Sequence, residues 1–83
     1  MMIYLIEYNR LEGRLVTFKV FPESEQANAE ELRLEIELDL NRKRIDHEVV
    51  LLDAANEAAL HRTHMRYFYD PRQILERIRG AIE

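Results

Sequence analysis

The chain has no cysteine, a single serine, two glycines and two prolines. Without cysteine there is no disulfide, no thiolate metal site and no cysteine nucleophile, a composition that suits a reducing compartment. The two glycines, Gly13 and Gly80, lie too far apart to build a phosphate-cradling loop, which removes the usual nucleotide-binding motifs. The one serine, Ser24, follows a proline and precedes a helix-forming stretch, where it reads as a helix cap and not as a nucleophile. No apolar run approaches the roughly 20 residues needed to span a bilayer. The start, Met1 to Glu7, has no basic stretch and meets a charge after six residues, so it does not read as a signal peptide. A cytoplasmic location without membrane association is the expectation.

Basic residues are also in deficit, 12 against 16 acids. The imbalance is concentrated in residues 23–57, which hold eleven acids and four bases. Affinity for phosphate backbones rests on clustered lysine and arginine, so no nucleic-acid partner is expected. The basic run Arg42-Lys43-Arg44 reads as a helix end, where positive charge meets the negative pole of the helix dipole. Arg62, Arg66, Tyr67, Phe68, Tyr69 and Arg72 interleave bases with aromatics, as single-strand binders do. The net charge of −4 opposes that use, and packing at a helix end accounts for them as well.

What remains is a chain that is 47% hydrophobic and 34% charged, the balance of a globular protein. Eighty-three residues make one domain, 1–83, with little stability to spare. The stretch Glu48-Val49-Val50-Leu51-Leu52-Asp53 sets four apolar residues between two carboxylates. It is too short for a free-standing helix and rich in valine, which predicts a strand buried on both faces.

Residues 2–9 read as a first strand, with Met2, Tyr4, Ile6 and Tyr8 on one face and Ile3 and Leu5 on the other until Glu7 and Asn9 turn it polar. Gly13 permits a tight connection to a second strand, residues 14–21. Strict alternation would put Val16, Phe18 and Val20 on one face and Leu15, Thr17 and Lys19 on the other. Pro22 ends it and Ser24 is the expected N-cap of the next element.

Residues 32–40 alternate apolar and charged side chains, the period of a strand. Their composition of Leu, Glu and Arg favours a helix over residues 25–42, and helix is the assignment adopted. It would carry two apolar stripes: Ala29, Leu32, Ile36 and Leu40 on one side, Leu34 and Leu38 on another. The second stripe requires a cover. After the strand at 48–53, Asn56 caps a helix over 57–68, and Asp70-Pro71 opens a last helix with Ile74, Leu75, Ile78 and Ile82 on its apolar side.

The order is therefore ββαβαα, an α+β domain with a three-stranded sheet in the order 2-1-3 and helices packed on the sheet. The first strand is central because it alone in the hairpin is apolar on both faces. The third strand then runs parallel to the second. The helices of so short a chain leave part of the sheet uncovered, and large exposed apolar patches mark interfaces, so a homodimer with two-fold symmetry is expected.

Hairpin, helix, strand resembles the order in the core of GIY-YIG nucleases. The second strand here reads Val16-Thr17-Phe18-Lys19-Val20, with no Tyr-Ile-Gly, so the resemblance carries no function to this chain.

Two constellations could carry chemistry. Glu57, His61 and His64 recur at helical spacing on the proposed second helix, with His47 or Asp53 as a possible further metal ligand. The HExxH pattern is absent and solvated or packed histidines explain the spacing, so no metal and no cofactor is assigned. His64 is alternatively an acid–base group in a pocket with Tyr4, Tyr8, Tyr67 and Tyr69, oriented by Glu7 or Asp53. That makes His64, Tyr67 and Asp53 the catalytic candidates, against the plainer reading of a core histidine. The function expected is a homodimeric binding or accessory module. The alternatives are a small dimeric enzyme with its pocket at His64, or an acidic regulatory partner of a basic protein.

Overall fold

The structure is a computed structural model that describes residues 1–69. Three strands, β1 (Met2–Asn9), β2 (Arg14–Pro22) and β3 (Glu48–Ala54), form one sheet in the order β2-β1-β3. Both neighbours run antiparallel to β1, which makes β2 and β3 parallel to each other, as the order of elements requires. Helix α1 (Gln26–Lys43) makes the crossover, and helix α2 (Glu57–Thr63) follows β3. The expected last helix, with Asp70, Pro71, Ile74, Leu75, Ile78 and Ile82, lies outside the described residues.

β1 is the axis of the core. Ile3 and Leu5 are buried on the face that packs with Phe21, Ala29, Leu32, Ile36 and Leu51. Tyr4 and Ile6 are buried on the other face with Ala54, Leu60 and Tyr67. The alternation of one strand therefore feeds two small cores, one under α1 and one under α2 and the 3-10 turn Met65–Tyr67 that follows it.

Four local expectations need correction. β2 does not alternate throughout: its register slips between Glu7 and Tyr8, so that Glu7 faces Thr17 while Tyr8 faces Leu15. Val16 is the extra residue of this bulge and is 44% exposed, and Leu15 joins Phe18 on the α2 side. Ser24 does not cap α1: it lies in a 3-10 turn, Glu23–Glu25, and the helix begins after Glu25 without a side-chain cap. α2 stops at Thr63 instead of continuing to 68, and His64 takes a non-helical conformation. Among the described residues β3 is an edge strand, with Val49 to Leu52 half-buried.

Other local signals act as the chain suggests. Gly13 has φ +66° and its N–H donates to the Asn9 carbonyl at 2.8 Å, closing the hairpin. Asn56 Oδ1 accepts from the Ala59 N–H at 2.9 Å and caps α2. α1 ends with Arg44 in the left-handed region, φ +58°, while the Ile45 N–H returns to the Leu40 carbonyl at 2.9 Å.

Candidate functional site

The sheet separates the predicted site residues. Asp53 pairs in register with Ile3, so its side chain lies on the α1 side. His64 and Tyr67 lie on the α2 side, where Tyr67 is part of the core. Asp53 therefore cannot orient His64. His64 stands near Tyr67, with ring centroids 6.3 Å apart, yet the Tyr67 hydroxyl is turned to another residue.

That residue is Glu48, at the start of β3. The Tyr67 hydroxyl donates to Glu48 Oε2, and Arg66 Nη2 reaches the same oxygen at 2.5 Å. Arg66 also donates to the Tyr67 oxygen at 2.6 Å, with its guanidinium 4.4 Å from the ring centroid. Tyr8 meets the same ring edge-on at 5.2 Å. Burial pushes the Tyr67 hydroxyl up, and its hydrogen bond to the Glu48 carboxylate adds to this, taking its pKa to about 12. Burial also pushes Glu48 up, but the hydrogen bonds from Tyr67 and Arg66 and the arginine charge outweigh it and hold the carboxyl below its ordinary value. The bond to Glu48 raises Arg66 further. Raised this far, the phenol stays protonated and serves as a hydrogen-bond donor to Glu48. The cluster instead ties the 3-10 turn to β3.

The metal candidates do not converge. His61 lies 3.4 Å from Glu57 Oε1 but stacks face to face on Phe68 at 3.9 Å, with Nδ1 3.3 Å from the Tyr69 hydroxyl. The end of α2 at Thr63 takes His64 off the helical face that the spacing assumed. Among the described residues no group of three His, Asp or Glu side chains is placed to hold a metal ion.

A third cluster joins Glu7, Thr17 and His47. Glu7, on the α1 side of β1, is only 7% exposed. His47 Nδ1 lies 2.6 Å from its Oε2, and Thr17 Oγ1 donates to its Oε1 at 2.9 Å. Both carboxylate oxygens are thus satisfied, as a buried charge requires. His47 lines a surface groove of about 430 Å3 with Asn9, Arg10, Leu11, Ile45 and Asp46. Glu7 does not orient His64, which lies on the other side of the sheet near Tyr67. The available signal was Glu7 itself, a charge following Ile3 and Leu5 on an apolar face, which demands a partner somewhere in the chain.

Two apolar surfaces complete the inventory. On α1, Leu34 is 54% and Leu38 55% exposed, and Ile45 beyond the helix end is exposed too. The second edge is β3, whose only strand neighbour among the described residues is β1. No protein-family model matches the chain, and neither a curated protein nor a solved structure does. Among the described residues no helix is long and apolar enough to cross a membrane.

Proposed function

We propose that the protein is a small binding or accessory module that works as a homodimer. The observation that carries this reading is the row Leu34 and Leu38 on the outer side of α1, spaced one turn apart and more than half exposed. No whole face of β1 is left bare among the described residues, because α1 covers one side of it and α2 with Tyr67 the other. Among the described residues the exposed large apolar side chains are Leu34 and Leu38 on the back of α1, Ile45 beyond its end, Val16 and Val20 on β2, Leu11 in the hairpin turn and Met1. Burying the exposed half of a leucine returns about 1 kcal/mol, so four such side chains across two copies contribute roughly 4 kcal/mol. Association costs roughly 4–15 kcal/mol before any affinity is seen, so the row is one part of a larger interface. The cysteine-free, acidic composition supports a cytoplasmic location for the module.

The test is the mass in solution. Sedimentation equilibrium at micromolar concentration should give twice the 10.0 kDa of one chain. Leu34→Glu with Leu38→Glu should shift the protein toward one chain without unfolding it. A single-chain mass for the unaltered protein over the micromolar range rules the reading out.

A second reading is a small dimeric enzyme, and the position favoured for its acid–base group is His47 and not His64. A carboxylate-held imidazole at the rim of a groove is the arrangement that general bases use. Ligands found by thermal shift should lose their effect in His47→Gln while the fold stays intact. Ligands that stabilise the variant equally would remove His47 from consideration.

A further inference from the structure

We infer that the homodimer forms by antiparallel pairing of β3 with β3 of a second copy, giving one continuous sheet in the order β2-β1-β3-β3-β1-β2. The inference rests on the dimer reading above and adds to it the surface and the register.

The two edges of the sheet are built differently. β2 carries the bulge at Val16, Lys19 in mid-strand and Pro22 at its end, the devices that discourage further pairing. β3 has none of them. From Val49 to Leu52 it is apolar, and over Met2 to Tyr8 its pairing with β1 runs without a slip, so its outer row of N–H and C=O groups is regular. An edge of this kind is a template for another strand.

Its sequence also fits itself. With a two-fold axis at Leu51, Leu51 meets Leu51 of the second copy, Val50 meets Leu52, Val49 meets Asp53, and Glu48 meets Ala54. Side chains of like polarity share each face at the centre, and the two carboxylates of the strand never face each other. Sliding the register by one residue would set the α1-side row of one chain against the α2-side row of the other.

Helix α1 agrees with this arrangement. Glu37, Leu40 and Asn41 line a groove with Val49, so this flank of α1 looks toward the open edge. α1 lies across β1 and β3, and strands are spaced about 4.8 Å apart, so helices seated between β1 and β3 of each copy would come about 10 Å apart. Leu40 lies at the level of Val49, and Ala29 packs with Ile3, the strand partner of Asp53. The level of Leu51 therefore falls near the middle of α1, where Arg33 and Glu37 form an ion pair at 3.6 Å. Two-fold symmetry there sets Arg33 of each copy opposite Glu37 of the other. Opposite charges meet in the same arrangement that pairs the strands.

Hydrogen exchange on the unaltered chain tests it. In an antiparallel sheet alternate residues bond to alternate neighbours, so half the β3 amides point away from β1. In the dimer these outer amides should exchange slower by roughly two orders of magnitude or more than in diluted monomer, and to the same degree as the inner ones. A nitroxide on Asp53→Cys, an exposed position in a chain without other cysteines, should report a second label within about 20 Å, since four residues of strand span about 13 Å. A dimer whose outer β3 amides exchange freely, with no second label in range, keeps the association and overturns this surface. A monomer overturns both. Protection that is independent of concentration in a monomer means the chain covers its own edge, which also overturns the inference.

Discussion

Tyr67→Phe removes one hydroxyl and leaves the ring that packs with Tyr8 in place, so it isolates the bond to Glu48. Its size follows from the kind of bond: a hydrogen bond to a charged acceptor contributes about 1.5–3 kcal/mol. The rise of the phenol from 10.0 to about 12 has the same sign but is caused first by burial and only then by the bond to Glu48, so it sets the pH window and not the size. The phenol is raised on folding, so its contribution is complete below pH 10 and disappears as the pH climbs through about 12. Glu48 is lowered on folding, so its contribution is complete above its unfolded value of 4.5 and disappears as the pH falls through the folded one. Urea unfolding of the two proteins should therefore differ by about 2 kcal/mol at neutral pH, and the gap should narrow toward both extremes. The phenolate absorbance missing from the variant should be a titration centred near pH 12 while circular dichroism remains native. A variant within about 0.5 kcal/mol of the parent at pH 7, the range of an ordinary surface change, would refute the argument. So would a lost titration step centred near 10.

Leu60 has no exposed surface and anchors the short helix α2, so Leu60→Ala should cost about 2–5 kcal/mol in chemical denaturation and loosen the α2 core first by hydrogen exchange. Arg44→Gly relieves a left-handed side-chain residue at the end of α1 and should raise stability by up to about 1 kcal/mol, read as a higher melting temperature. His47→Ala strips a buried carboxylate of one partner and should cost about 3 kcal/mol, whereas Glu7→Leu combined with His47→Leu should recover a large part of that loss. Equal losses for the single and double variants would show that shape, not charge pairing, governs the site.

The central place of β1 could be read from residues 2–9, because within the hairpin this strand alone is apolar on both faces, with Ile3 and Leu5 on one and Tyr4 and Ile6 on the other. The choice of helix for residues 32–40 was also legible, although their period is that of a strand. Leu, Glu and Arg lose little side-chain freedom in a helix, and with Ala29 the spacing of Leu32, Ile36 and Leu40 makes one core-facing stripe. The slip at Val16 was not legible, since a bulge depends on which residues of a partner strand lie opposite. Nor was the early stop of α2: Tyr67 and Phe68 leave helical spacing because Glu48, Arg66 and Phe18 hold them against the sheet.

The site shows the same division. Glu7, His47, Glu48 and Tyr67 are each visible as residues, but the pairs they form span 40 and 19 positions of chain. By itself the sequence determined the local elements, the turn at Gly13, the cap at Asn56 and the layered class, because these depend on propensity and period within a few residues. Only the tertiary structure decided which histidine meets which carboxylate and which face each strand residue takes beyond the bulge. Those outcomes depend on register and packing between distant segments, where a shift of one residue turns every side chain to the opposite face.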